Sequence, residues 1–477
     1  MTRVLMVSTD VVGPSMAGPG IRALELARVL ARTHEVTLAI PAGSSPASLP
    51  YAVVHYQPGR IGDLAAAVAA AEVIVGQGFV FTSHPELLAA SQPIAIDLYD
   101  PQILESLHLV RQVDPVTAAI EAQGFVVRTR AQLERGDFFF CATSVQRDYW
   151  LGALSVLGRM TPTLVAEADD DLRSLIDLVP SGLDPQPPRR DEPVLRGVHP
   201  AIPEDAFLLI WAGGLWDWFD PQLVVRAVAQ LRETCPQLRL CFFAGARPNP
   251  DGPPIVTPEG VAVRELAAHL GVLNETVIML DTWVPYAERG RYLSEADVGV
   301  SAHMPGIETH FAFRTRLLDY LWARLPILCS LGDSLGEQIA QAGGAICVAP
   351  YDLDGWCAAL HQLYHNRVQC STMAASSDGV ARTFTWDAVA QPLVAFCDAP
   401  RRTAPDHVAT ERPAPVGLDP QVLAAKQAQL AALDHYARQL DTALNQKNQH
   451  IVHLERHIER IEMGRVMRLL KLFTRQR

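Results

Sequence analysis

One pattern, run through twice, limits what this chain can fold into: short apolar runs of strand length alternate with segments of helix length. The first pass reads as strand Val4 to Val7, helix Ile21 to Arg32, strand Val36 to Ile40, helix Gly62 to Ala71, strand Val73 to Val75 and strand Ile94 to Ile96. It continues through a long helical stretch ending near Arg135, strand Phe138 to Cys141 and helix Val145 to Leu157. Strands alternating with helices predict a parallel sheet covered on both faces. A proline-rich connector, Asp184 to Pro193, then breaks the pattern, since prolines at that density favour an extended surface segment. The second pass begins at Phe207 to Ala212 and runs through helix Pro221 to Glu233, strand Leu238 to Phe243, helix Val261 to Leu270 and strand Val277 to Leu280. Apolar runs Ala296 to Ser301 and Pro326 to Ser330 then flank a helix.

The expected fold class is therefore α/β, with two tandem Rossmann-like domains followed by a C-terminal coiled-coil helix. The expected boundaries are an N-terminal Rossmann-like domain over 1–184, a linker over 185–200 and a C-terminal Rossmann-like domain over 201–383. A closing helix follows over 384–398, then a Pro-rich linker over 399–418, the coiled coil over 419–463 and a basic amphipathic tail over 464–477. A chain of 477 residues is too long for a single core. In the coiled-coil segment, Leu423, Leu430, Leu433, Ala437, Leu440, Leu444, Ile451, Leu454, Ile458 and Ile461 follow alternating four and three spacing. An intramolecular packing helix is the other reading of that seam. In the tail, Val466, Leu469, Leu470 and Phe473 share a helical face, with Arg465, Arg468, Lys471, Arg475 and Arg477 among the other positions. That pattern suits an interfacial helix on an anionic membrane surface, or a soluble terminus.

A formal net charge of −12 argues against a general nucleic-acid binder, which needs a basic surface to neutralise phosphates. The eight cysteines are scattered with no Cys-x-x-Cys pair and read as reduced packing residues, which points to the cytoplasm. The His and Cys residues lack metal-ligand spacing, so no metal site is expected. The apolar start at Met1 to Ser8 is too short for a signal peptide, and no run approaches the ~18 apolar residues that a membrane span needs.

The stretch Glu308 to Pro326 carries the strongest chemical signal. It reads as a loop of backbone amides feeding a helix that begins with Arg314 and Arg316, and a helix start with cations is a seat for a diphosphate. Asp319, one turn further on, is placed to accept hydrogen bonds from a sugar hydroxyl. A surface ion pair between Arg316 and Asp319 on an amphipathic helix is the plainer alternative. Because this helix sits in a βαβ unit, its amino end lies at the carboxyl edge of the sheet, where open α/β sheets bind ligands.

Three further segments belong with it. In Gly13 to Gly20, Gly18 and Gly20 form a turn that lines the cleft, with Arg22 available for phosphate; two prolines and the missing acidic ribose anchor argue against a dinucleotide site. In Trp211 to Pro221, Gly213 and Gly214 leave room for a ligand, and Trp216 and Trp218 supply apolar walls. Asp97, Tyr99 and Asp100 follow the fourth predicted strand of the first domain, where a carboxylate or phenol points into the cleft. Asp100 is equally an N-cap. His84 and His108 are candidate acid–base groups with an equally structural reading.

With those residues in view, the chain resembles nucleotide-sugar-dependent glycosyltransferases of the GT-B fold, in the retaining group called family four, over roughly Met1 to Phe396. Val179-Pro-Ser-Gly-Leu-Asp184 is similar to the family's interdomain "val-pro-asn-gly-val-asp", and Arg316-Leu-Leu-Asp-Tyr-Leu-Trp-Ala-Arg-Leu-Pro326 to its "lys-x-x-glu-tyr-leu-ala-x-gly-x-pro" donor helix. The resemblance implies that Asp319 stands for the glutamate binding the donor ribose, Arg316 for a lysine facing the phosphates, and Glu308 for the glutamate near the transferred sugar. The chain departs from the pattern in spacing: ten residues separate Glu308 from Asp319, where the family commonly has seven, and Phe311 takes the literal position. The family's basic pair after the second domain's first strand is absent from Gly213 to Asp220, so Arg314 and Arg316 are expected to replace its charge. The amino-terminal histidine of many relatives has no clear match.

The implied function is transfer of a sugar from a nucleoside diphosphate sugar to a glycan or lipid-linked acceptor, with retention, in cell-envelope polysaccharide or glycoconjugate synthesis. Donor-binding residues would be Gly213, Gly214, Trp216, Trp218, Arg314, Arg316 and Asp319, with Glu308, Asp97 and Asp100 as catalytic candidates. No cofactor or metal is called for. Homo-oligomerisation through the coiled coil and contact with an anionic membrane face are expected of the carboxyl-terminal segments. Two alternatives stand beside this one: a catalytically inactive GT-B scaffold that recruits partners, and a sugar-nucleotide epimerase.

Overall fold

The structure is a computed structural model that describes residues 1–404 apart from 79, 100, 110–113, 168–170, 190–191, 244 and 248–255, together with Lys447. Asp100, the coiled coil apart from Lys447 and the basic tail therefore lie outside the described residues. Both sheets belong to one compact unit comprising Met1–Gln112 and Glu121–Val408.

The first sheet has seven parallel strands: β1 Arg3–Val7, β2 Glu35–Pro41, β3 Ala52–Tyr56, β4 Val73–Gln77, β5 Ile94–Asp97, β6 Phe138–Cys141 and β7 Ile176–Leu178, in the spatial order 3-2-1-4-5-6-7. The second has six: β8 Phe207–Trp211, β9 Leu238–Phe242, β10 Val277–Met279, β11 Val298–Ser301, β12 Ile327–Ser330 and β13 Ala345–Val348, in the order 10-9-8-11-12-13. All the pairings are parallel. In each sheet the order reverses beside its first strand, between β1 and β4 and between β8 and β11. A reversal of this kind opens a crevice at the strands' carboxyl ends.

Central strands such as β4, β6 and β8 are buried along their whole length, which explains their largely apolar sequences. The strands that the sequence reading lacks are β3, β7 and β13, each at the edge of its sheet. They are only partly buried; β3 and β7 are interrupted by a polar residue, while β13 is apolar throughout and differs from the central strands only in its half-covered position. With β3 included, Asp97 ends the fifth strand rather than following the fourth.

Helix starts follow local chemistry. Gly18–Leu30 has Pro19 in its first turn. Thr143 caps Ser144–Val156 by accepting from Gln146 N–H, and Asp220 caps Pro221–Leu231 through Leu223 N–H. Near its end the chain returns from the second sheet to the first. Helices Trp386–Val389 and Gln391–Asp398 bury Trp386, Val389, Leu393 and Phe396 in the core beneath β1 and β6. The outgoing segment at Leu183 and the returning one at Thr385 pair side by side. Among the described residues, no helix is long and apolar enough to cross a membrane.

Candidate functional site

At the second sheet's switch point, the loop after β8 and the loop after β11 are joined by backbone hydrogen bonds. Asp220 N–H donates to Ala302 O at 3.0 Å, Met304 N–H donates to Trp218 O at 3.1 Å, and Phe219 bridges His303. Gly213 adopts φ +101°, a conformation that disfavours a side chain. A Cβ on Gly214 would lie 2.8 Å from the Trp216 indole nitrogen. Trp216 and Trp218 stack on each other at 5.7 Å, and Trp216 stays 41% exposed.

The predicted loop before the arginines contains a short helix, Ile307–Phe311, which is a correction to the reading of open amides. The next helix, Thr315–Trp322, starts with Arg314 in the N-cap position. Arg314 is buried and makes a two-pronged pair with Glu308, at 2.9 Å from Nη1 to Oε1 and 2.7 Å from Nη2 to Oε2. Glu308 is thus held by an arginine, with 2% exposure, rather than presented to the cleft. Asp333 lies 3.9 Å from the Arg314 Nε, and burial pushes its carboxyl up against the pull of Arg314.

Arg316 is different. Its guanidinium lies over Trp211 at 4.4 Å and over Phe219 at 4.0 Å, and Nη2 donates to Gly214 O at 2.7 Å. Nη1 is buried without a partner, and no carboxylate pairs with the group among the described residues. Burial lowers its pKa to about 10. Next to it is a residue the sequence reading passed over. His303 is 1% exposed with neither ring nitrogen bonded, and burial, with Arg314 beside it, lowers its pKa to about 4. Its only signal was its place just past a buried strand. Asp319 pairs with Arg289 at 2.9 Å rather than with Arg316, and Arg289 lies over the rings of Tyr286 and Trp322.

On the first sheet's side, Arg22 is a paired cation, with Nη1 alone unbonded. Its Nε and Nη2 donate to Asp97 at 2.6 and 3.1 Å, Nη2 also reaches Val179 O at 2.6 Å, and the guanidinium lies 4.7 Å from the Tyr99 ring centroid. Asp97 also accepts from Tyr99 N–H, so both its oxygens are engaged; burial raises its pKa against the opposing effect of Arg22. The pair is a buried brace holding Tyr99, whose hydroxyl donates to Phe313 O across the cleft at 3.3 Å. Gln146 Nε2 likewise donates to Phe311 O at 2.7 Å. Gly20 is required because a Cβ would meet Val11 O at 2.4 Å, a close approach by backbone and not by ligand, whereas Gly18 faces open space. His84 is wholly buried with Nδ1 3.1 Å from Glu86.

The structure therefore brings Gly213, Gly214, Trp216, Trp218, Glu308, Arg314 and Arg316 together beside the second sheet's switch point, with Phe219 and His303 added. Asp97, Tyr99 and Arg22 form a second group on the first sheet's edge.

No family model matches the sequence. The D-inositol 3-phosphate glycosyltransferase of Stackebrandtia nassauensis is 26% identical over 257 residues, 50% of this chain and 55% of that protein. The protein of the same description from Kineococcus radiotolerans is 28% identical over 283 residues, 54% of this chain and 60% of that one. The chain spans little more than half the length of these relatives. Among solved structures, sucrose-phosphate synthase from Thermosynechococcus elongatus matches with a TM-score of 0.59 at 16% identity, covering 83% of this chain and 98% of that one. Anabaena Alr3699/HepE, solved with UDP and glucose, matches with a TM-score of 0.54 at 13% identity, covering 83% and 100%. The chain has two parallel-sheet domains in the GT-B arrangement, and its homologues are glycosyltransferases.

Proposed function

We propose that this protein is a cytoplasmic glycosyltransferase that takes its sugar from a nucleoside diphosphate sugar bound at the switch point between β8 and β11. The observation that carries this reading is Arg316: a buried cation without a carboxylate, with one nitrogen unbonded, at the start of a helix. A charge withdrawn from water is strongly unfavourable unless something neutralises it. A diphosphate would supply that missing charge, with the helix's first amides and the neutral His303 as further donors. Arg314, oriented by Glu308, lies within reach of the same anion.

In this reading the donor domain works electrostatically. The arginines and helix amides stabilise the diphosphate as it leaves, while an oxocarbenium-like centre forms on the sugar. Glu308 acts through Arg314 as a positioning group. Asp319, about one-third exposed beside Arg289, takes the ribose. The first domain presents a glycan or lipid-linked acceptor, with Tyr99 at the facing edge, and the product keeps the donor's anomeric configuration.

The HepE structure holds UDP and glucose, which makes UDP-glucose the first donor to try. Calorimetry should show UDP binding to the wild type, and Arg316→Ala should weaken it at least tenfold; equal affinities would end the proposal. Release of UDP on incubation with UDP-glucose and an acceptor separates a transferase from an inert scaffold. Acceptor-independent conversion of the donor would mark an epimerase instead. Self-association through 419–463 and contact with anionic membrane through 464–477 belong to the same proposal. Light scattering of a monomer, or liposome binding unchanged by removal of 464–477, would remove them.

A further inference from the structure

Away from the donor crevice, Cys235, His361 and His365 come together, each offering one ligand atom within 4.8 Å of the other two. The histidines are four apart on helix Leu353–His365, so they share a face, and their ring centroids are 4.4 Å apart. Cys235 is buried in the turn between helix Pro221–Leu231 and β9. That turn is tied to the histidine helix. Tyr364 Oη bonds the Gln237 side chain and accepts from its backbone N–H at 3.4 Å, and Leu231, Cys235, Leu360 and Leu363 share one core. Phe207, the first residue of β8, packs on Tyr364 and donates to Gln237 O, which puts the cluster at the amino edge of the sheet, opposite Gly213 and Arg316.

We propose that Cys235, His361 and His365 bind a borderline-soft divalent cation of the zinc class, with solvent as the fourth ligand. The sequence reading expected no metal centre, because the cysteine lies far upstream and only folding brings it to the histidine pair. One thiolate and two imidazoles suit zinc, and the group holds no carboxylate of the kind calcium and magnesium require. Tetrahedral bonds of ~2.0–2.3 Å put ligand atoms about 3.5 Å apart, a closure of about 1 Å that the two exposed histidines reach by rotation. Because the ligand is a thiolate, the cation must displace the Cys235 proton on binding, so affinity rises with pH. The bound cation clamps the turn before β9 to the histidine helix.

The test uses the full chain, stripped by chelator and titrated with zinc chloride alone. Wild type should take up one cation per chain and melt at a higher temperature with zinc. His361→Ala and His365→Ala should each weaken zinc binding at least tenfold, and the double variant should lose the melting shift. With cobalt chloride the wild type should show a thiolate-to-cobalt absorption band that Cys235→Ser lacks. Because both histidines are exposed, their variants decide the matter even if Cys235→Ser fails to fold. Zinc bound equally by the double variant, no uptake by the wild type, or a cobalt spectrum without the thiolate band would each overturn the assignment.

Discussion

The Arg316 guanidinium lies close to two rings set at 89° to each other, 4.4 Å from Trp211 and 4.0 Å from Phe219, and its spread of charge over three nitrogens is available to arginine alone. Lysine keeps the charge but gathers its donors on one nitrogen, so it cannot bond Gly214 O through one nitrogen while turning a second, planar one to a phosphate. Arg316→Lys should therefore weaken UDP binding about tenfold or more by calorimetry while leaving the fold intact; affinity equal to wild type would show that charge alone suffices. His303 makes a separate prediction about pH. Its folded pKa is depressed from 6.5 to about 4, so the unfolded chain binds a proton that the folded chain refuses throughout that window. Stability falls as pH drops from about 6.5 to about 4, by on the order of 3 kcal/mol from this group, and the loss levels off below. In urea denaturation at pH 7.5 and 4.5, His303→Gln should lose ~2–3 kcal/mol less than wild type on acidification, and parallel losses would refute it. The arginines were legible in the sequence because charges at a helix start stand out against an apolar period. His303, and the Arg289 that engages Asp319, were not: each acquires its meaning from a neighbour far away in the chain.

Helices and strands were legible to the extent that burial left a mark on them. β1, β4, β6, β8 and β11 lie inside their sheets and carry fully buried apolar runs, whereas β3, β7 and β13 are half-covered edges, two of them interrupted by His55 and Asp177. The glycine loop shows a second limit. Gly20 suggested room for a ligand, but the atom that comes close is the Val11 carbonyl, because a missing side chain says only that something approaches. Between elements, Tyr320 is the key connection. From helix Thr315–Trp322 its hydroxyl accepts from Ala212 N–H at 3.0 Å and meets the Ile210 and Val300 carbonyls at 3.0 and 2.9 Å. Gly299 leaves space for the ring, since a Cβ there would sit 2.4 Å from it. Helix Thr315–Trp322, β8 and β11 are thus locked together directly below Gly213. Tyr320→Phe leaves the buried Ala212 amide without a partner, a loss of ~1–3 kcal/mol. Urea denaturation should show that loss, and UDP affinity should fall several-fold as the Gly213 loop loosens; unchanged values in both would mean that the sheet positions the loop unaided.

The chain crosses between its two sheets twice, and the second crossing completes the first domain's core with residues from near the end of the described chain. Phe396 stacks on Phe138 at 5.0 Å, and Trp386, Leu393 and Cys397 fill the same cluster as Val4, Met6 and Phe140. From sequence, the apolar spacing of Trp386 to Phe396 marks a buried helix but leaves its partner open, because amphipathicity specifies a face and not what covers it. The two crossing strands of chain are fastened to each other: Leu183 N–H donates to Phe384 O at 2.8 Å and Trp386 N–H to Leu183 O at 3.2 Å. A Cβ on Gly182 would fall 2.8 Å from the Trp386 backbone, so that junction has no room for a side chain. It follows that damage at the end of this segment should appear at the chain's beginning. Phe396→Ala removes a buried aromatic ring, a change that typically destabilises by ~3–5 kcal/mol through lost burial and the cavity left behind. The cluster that Phe396 joins holds residues of β1, β2, β4, β5 and β6 but none of β8 or β9, so the loss should be local. Native-state hydrogen exchange should show amide protection falling in β1 and β6 well before β8 and β9, although Phe396 follows all four in the chain. Equal loss in both sheets would mean that the two cores unfold as one, and unchanged protection in β1 would mean that the returning helices merely rest on the first domain.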